Sequence, residues 1–454
     1  MGKPSRLFVI SDLHLGGERP TMMSQPKRLA EFIAALPEKA LPDETIDLVI
    51  AGDFVDFLSV PPWTAWTATA ADAVKKLERV VGAPGSGDGF APIFDALRAH
   101  IAAGRRLTIL IGNHDLELTM PPVQDTLLRR IGADLHDVLF LLDGRAYRVG
   151  GALIEHGNRY DDANANDFSH LRALASYLSR GEAPDKLAEV VVSTGSQLVT
   201  RVVNPMKKAY PFVDLLKPEG ELLAYLIFAL EPGLVKQYLG DFKLLFEAQR
   251  KAAANVDGRP PGATENVAGV EAADSADLRA AFPELHQAIH TTAENVGFGD
   301  LLSGFMSSVM GDSLSEIIRK NKPIPADRLA KLRVSLRKLL DGDRTFDRTA
   351  PDGPYAVAAG RLGKIPGVET VVMGHTHLAR HYGPADKATY INTGTWADLV
   401  TVPKEALADG ADEALSKFVV SLVKDDGARS FLPTYADVRV NEDGTVASAS
   451  LKDA

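Results

Sequence analysis

Aspartate, histidine and asparagine stand at short fixed spacings in five strings along the chain. They are Asp12 and His14 in SDLHLGG, Asp53 and Asp56 in GDFVD, Asn113, His114 and Asp115 in GNHD, His156 in EHGN, and His375 and His377 in GHTH. These side chains offer imidazole nitrogen and carboxylate or amide oxygen, the donors that hold hard or borderline divalent cations. The chain has no cysteine, so disulfides and thiolate ligands are excluded. A single GD or HxH string is a common turn sequence; five in one order define a site. Asp12 and His14 are two apart, so a strand-like period turns both to one side. The two oxygens of a carboxylate can bridge a pair of cations, which makes Asp53 the natural shared ligand. With Asn113, His156, His375 and His377 added, two ions would each receive a mixed nitrogen and oxygen set.

Each string follows an apolar run: RLFVI, IDLVIA, RLTILI, ALI and VETVVM. Such runs read as buried strands that deliver polar residues at their ends, where open α/β sheets bind ligands. The expected class is therefore α/β, with its core in residues 1–165 and 351–454 and a helical insert over 166–350. The insert is read from apolar residues three and four apart in LRALASYLSR, KLAEVVVSTGSQLVTRVV, ELLAYLIFAL, LVKQYLGDFKLLFEAQRKAA, DLRAAFPELHQAIHTTA and ADRLAKLRVSLRKLL. Within it, the Gly, Pro and acid-rich segment from Asn255 reads as a mobile loop. The apolar segment AYPFVDLLKPEGELLAYLIFAL from Ala209 either packs the insert's own core or forms a lid whose groove takes a greasy leaving group.

The 454 residues carry a net charge of -10, spread without a basic stripe, which argues against nucleic acid as a partner. No leader-like or membrane-spanning pattern is present, and MGKPSR has Arg6 where a myristoylation signal wants Ser or Thr. A cytoplasmic protein is expected.

The strings match DxH, GDxxD, GNH[DE], H and GHxH, so the chain resembles the calcineurin-like metallophosphoesterase superfamily over its first third and over about residues 350–400. That resemblance implies a four-layer α/β/β/α sandwich and two divalent metal ions, Mn, Fe or Zn, manganese among them. It places one ion on Asp12, His14 and His377 and the other on Asn113, His156 and His375, with Asp53 bridging. His114 would be the general acid, oriented by Asp56, with Asp115 as a rival for that role. The expected reaction is hydrolysis of a phosphomonoester, phosphodiester or pyrophosphate by in-line attack of hydroxide bridging the metals.

Departures narrow the class. Phe57 stands where protein Ser/Thr phosphatases of the superfamily have Arg, which removes a phosphoprotein anchor. Arg159, with Asn158 beside it, is the candidate substrate-binding group, set against a plain salt bridge to Asp161 or Asp162. The layout also resembles the UDP-2,3-diacylglucosamine hydrolase branch, which has Arg where this chain has His114 and a shorter insert. The expected substrate is a small phosphate ester, lipid- or nucleotide-linked forms included. A catalytically silent scaffold and a nuclease are the rival readings. Asn392, Thr393 and Gly394, at the end of the run KATYINTGTW, are placed beside the site, or else in a plain turn.

Overall fold

The computed structural model describes residues 3–161, 163–184, 190–217, 226–227, 229–231, 280, 313–340, 346–351, 353–383, 388–425, 427 and 429–454. The runs from Leu234 and Asp277 and the segment from Asn255 lie outside these residues, apart from residue 280.

The first half alternates strands and helices. Four parallel strands, β1 (Ser5–Ile10), β2 (Thr45–Ala51), β3 (Arg106–Leu110) and β4 (Val138–Leu141), are joined through α1 (Pro26–Lys39), α2 (Ala70–Val81), α3 (Ala91–Ala102) and α4 (Pro121–Ile131). A second sheet begins with β5 (Tyr147–Val149) and β6 (Ala152–Ile154). The chain then enters α5 (Phe168–Ser179), whose N-terminus is capped by the Asp167 carboxylate. A helical run follows, α6 (Thr194–Leu198), a π-helical turn over Val199–Val203, and α7 (Asn204–Lys207). Pro205 at the start of α7 cannot donate its backbone nitrogen, which fits the widened turn just before it. Further on come α8 (Leu314–Arg319) and α9 (Ala326–Leu340), then α10 (Gly353–Leu362), β7 (Thr370–Met373), β8 (Ala379–Tyr382), β9 (Thr389–Thr393) and β10 (Leu399–Val400). The chain closes with α11 (Lys404–Leu407), α12 (Asp412–Lys424), β11 (Arg429–Ser430), β12 (Thr434–Val440) and β13 (Val446–Asp453).

The larger sheet has the order β13-β12-β1-β2-β3-β4 and the second β5-β6-β7-β9-β8. Strand periodicity sorts the apolar side chains into layers. In β1, Leu7 and Val9 face Ala152, Ile154, Val372 and Ile391 of the other sheet. Phe8 and Ile10 point the opposite way, into a core with Phe32 and Ile33 of α1, Leu77 of α2 and Phe94 of α3. On the far side of the second sheet, Val371 and Met373 pack on Tyr355 and Ala358 of α10. The result is the expected helix, sheet, sheet, helix sandwich. All five donor strings follow strands of it: β1, β2, β3, β6 and β7.

A separate apolar core joins Leu198, Met206, Tyr210, Phe212, Leu226 and Ile227 to Ile317 of α8, Leu332 of α9, and Leu415, Phe418 and Leu422 of α12. Every described apolar side chain of the Ala209 segment is at least half buried, most of them in this core. The helices of 404–424 thus share a core with residues between Leu198 and Leu336. Arg333 of α9 also pairs with Asp412 at 2.5 Å.

Candidate active site

The donor residues meet where the parallel strands end. Asp12 and His14 lie beyond β1, in a loop that runs beside the loop after β2. Asp12 N donates to Gly52 O at 3.1 Å, and Leu13 N and His14 N both donate to Asp53 O at 2.9 and 3.0 Å. Asp12, His14, Asp53, His375 and His377 all have positive φ, 45° to 73°. Among the described residues they make up five of the seven non-glycine positions in that region. Such conformations are uncommon outside glycine and concentrate at functional sites. The strand-period explanation for Asp12 and His14 is therefore corrected: the two converge through left-handed backbone turns after the strand.

Close approach is built into the glycines here. A Cβ on Gly112 would lie 2.0 Å from Asp53 Oδ1, and one on Gly52, at φ +89°, 2.4 Å from His156 Nδ1. Only glycine allows these loops to meet.

Three overlapping donor groups result among the described residues. Asp12, His14 and His377 bring ligand atoms within 4.8 Å of one another, and so do Asp53, His156 and His375. His14 Nε2 and His377 Nε2 are 2.9 Å apart, and His377 Nε2 is 3.4 Å from Asp12 Oδ1. His156 Nε2 sits 3.2 Å from Asp53 Oδ2 and 3.3 Å from Asn113 Oδ1. Asp53 Oδ2 is also 3.7 Å from His14 Nε2, so this one carboxylate faces both groups. His14, Asp53 and His114 form a third such grouping.

The donor set fits divalent cations. Asp12 Oδ1 is buried without a hydrogen-bond partner, an arrangement that costs free energy unless a cation or proton is near. Burial works against charge on His156, yet the Asp53 and Asp12 carboxylates outweigh it and raise its pKa to about 10. Burial likewise works to raise Asp53, but His156, His114 and His14 hold it well below the usual carboxylate range. These buried acids draw positive charge from whatever source is present, and an N/O-ligated cation is one.

Residues 5–193 match the family model described as calcineurin-like phosphoesterase. The match takes in the first four of the five donor strings and supports the calcineurin-like metallophosphoesterase superfamily over that stretch. No curated protein and no solved structure matches it significantly. The match ends well before the fifth string. The fold restores the connection, with Gly374 N donating to His156 O at 2.9 Å and His375 N to Asp12 Oδ2 at 2.9 Å.

His114, its side chain 14% exposed, is the most accessible of the clustered histidines. Its Nδ1 lies 3.0 Å from Asp56 Oδ1. Burial works to raise Asp56, but His114 and His14 hold it well below the usual carboxylate range, so Asp56 is the acceptor and His114 Nδ1 the donor. That tautomer leaves Nε2 to exchange a proton. Asp115 does not orient His114. Its two oxygens accept from Gly112 N at 2.7 Å and Phe54 N at 2.8 Å, tying the second string to the third. Burial and the neighbouring Asp53 raise its pKa to about 7.

Arg159 and Asn158 both have partners within the protein. Arg159 pairs with Glu155 at 3.1 Å, donates to the Gly144 carbonyl and covers the Phe168 ring at 4.9 Å. Its guanidinium thus braces the base of α5, and its ion pair is with Glu155 rather than Asp161. The Asn158 amide is buried and donates to Asn164 O at 3.0 Å.

Asn392 donates to Gly374 O at 2.7 Å and Thr376 Oγ1 at 3.1 Å, and Thr393 Oγ1 lies 2.6 Å from Ser11 Oγ. The string after β9 therefore holds the GHTH loop against Asp12. Sequence reasoning missed Asp161, whose Oδ2 lies 3.0 Å from His375 Nε2, and buried Lys217, whose charge adds to burial in holding His377 well below the ordinary histidine range. An acid within the EHGNRYDD string was the only signal for the first, and nothing local marked the second.

Proposed function

We propose that this metallophosphoesterase hydrolyses a phosphomonoester, phosphodiester or pyrophosphate bond in a small molecule with two divalent ions. In this reading Asp12, His14 and His377 hold one ion and Asn113, His156 and His375 the other, with Asp53 between. The observation that carries the proposal is the pair of donor groups flanking Asp53, with the accessible His114 beside them. Bound divalent cations supply Lewis acidity, which acidifies water and neutralises phosphate oxygens. The chain's own residues do the rest. Asp56 keeps the His114 proton on Nδ1 and favours a second on Nε2, which His114 delivers to the departing oxygen. Asp161 fixes the His375 ring through Nε2, and Ala51 O fixes His156 through Nδ1 at 2.8 Å. Attack by water on the phosphorus needs no covalent enzyme intermediate, and none is invoked.

We also propose that residues 1–165 and 351–454 form the catalytic core and 166–350 its insert. No helix among the described residues is long and apolar enough to cross a membrane.

The test is a substrate panel of phosphomonoesters, phosphodiesters, pyrophosphates and nucleotide sugars, assayed after chelation and after reloading with Mn, Zn or Mg. Turnover that vanishes with chelation and returns with one ion supports the proposal. Absence of turnover with every substrate and ion refutes it in favour of a silent scaffold.

A further inference from the structure

One turn of the inserted segment grips the loop that follows GDFVD. Asn204 and Lys207 open and close α7, three residues apart and so on one helix face. The buried Asn204 amide donates to Leu58 O at 2.8 Å. Lys207 Nζ donates to Ser59 Oγ at 3.4 Å and is paired with Asp214. Ser59 in turn gives its hydroxyl proton to Asp56 Oδ2 at 2.6 Å and its backbone N–H to Asp56 Oδ1 at 3.1 Å. Asp56 Oδ1 is the acceptor for His114 Nδ1. The links are continuous from insert to imidazole.

We infer that α7 is a clamp through which the insert sets the orientation of His114, with Lys207 and Asn204 as positioning residues. The inference rests on the proton-donor role proposed for His114. A serine hydroxyl has one proton and can turn it toward any acceptor. An ammonium donating to Ser59 Oγ occupies a lone pair, so the hydroxyl proton is left to Asp56 and the carboxylate is held in one plane. The clamp is anchored from behind, because Val202, Val203 and Met206 are buried in the core shared with α8, α9 and α12. Lys208 adds a contact to the same loop, its Nζ 5.3 Å from the centre of the Trp63 ring. A shift of the insert core therefore reaches His114, and the proton donor is set only while the insert is docked.

The experiment uses the full-length, metal-loaded protein with Lys207→Met, Ser59→Ala, their combination and Lys207→Arg. Turnover of an alkyl phosphate and of a 4-nitrophenyl phosphate is compared, metal content is measured, and the His114 ring resonances are followed in histidine-labelled protein, assigned with His114→Asn. Each single variant should lose about tenfold or more on the alkyl ester and less than about twofold on the activated ester, whose leaving group needs no proton. The double variant should lose no more than the worse single one, since both residues act through one chain. Lys207→Arg should recover most of the loss, and the His114 resonances should move at unchanged metal content. Equal losses on both esters, multiplied losses in the double variant, or unmoved His114 resonances would each overturn the clamp. Should the wild type turn over neither ester, the proposed activity fails while the resonances still decide the clamp. Should Lys207→Met not fold, Ser59→Ala gives the same resonance readout from the core side.

Discussion

Replacing Gly112 by alanine adds one methyl group at the point where the loops after β2 and β3 cross. The backbone there is ordinary for an L-residue, so the objection is steric alone. The new Cβ would stand 2.0 Å from Asp53 Oδ1 and 2.4 Å from Asp53 N, whereas real Cβ atoms keep at least 3.0 Å from such neighbours. The two loops must part by about 1 Å, the difference of those distances. Asp53 cannot yield alone. Its Oδ1 accepts from His114 N at 2.9 Å, and its carbonyl accepts from both Leu13 N and His14 N. Separation therefore drags the first, second and third strings together. Overpacking of this kind costs about 1–3 kcal/mol of stability. A misplacement of about 1 Å at reacting groups costs about 10²-fold in rate. Gly112→Ala should fold, bind less metal by mass spectrometry after reconstitution, and lose about 10²-fold in kcat/KM. A variant with wild-type metal content and kcat/KM within about threefold would show that the crossing does not govern the site.

Asp53→Asn should weaken metal binding by more than the 10- to 100-fold typical of groups that merely orient a ligand; titration calorimetry giving wild-type affinity would end its shared-ligand assignment. His114→Asn should keep its metal and lose about 10²- to 10⁴-fold on alkyl esters but far less on activated aryl esters, and equal losses would remove it as proton donor. A stability prediction concerns His100 in the last turn of α3, which meets β3 at its start, the opposite end of the strand from Asn113. Burial holds it below the ordinary histidine range, its Nε2 donates to Arg106 O at 2.8 Å, and its Nδ1 has no partner. The unfolded chain takes up the proton first, so this stability is fully present above the unfolded pKa of about 6.5 and declines as pH falls below it, by up to ~1.4 kcal/mol per pH unit. His100→Gln should flatten that decline in urea unfolding at about pH 5.5 against about pH 7.5, and an unchanged slope would disprove the account.

The strings were legible because each one follows a buried apolar strand, and a strand that ends at a sheet edge can deliver side chains nowhere else. The helix over 326–340 was equally plain from its periodicity. The route by which Asp12, His14 and His377 converge was not, because a left-handed turn at Asp or His leaves no mark as clear as glycine does. Arg159 was read as a phosphate anchor or a salt bridge to Asp161 or Asp162, and Glu155 was overlooked because it stands four residues earlier in a segment that is not a regular helix. The link from Lys207 to Ser59 joins residues 148 positions apart, and no local pattern encodes it.

Asp12 and His375 are joined across 363 residues. On a ribosome moving at 5–20 residues per second, the first donor string waits about 20–70 s for the last. During that interval β1 also lacks its neighbour β12, so its edge is open to pairing with other chains. The donors on the early strings are assembled before those on the last, and nascent protein can hold an ion only weakly until the GHTH loop arrives. On the proposed function, the metal site is therefore completed only late in synthesis, after the β1 edge has stood open.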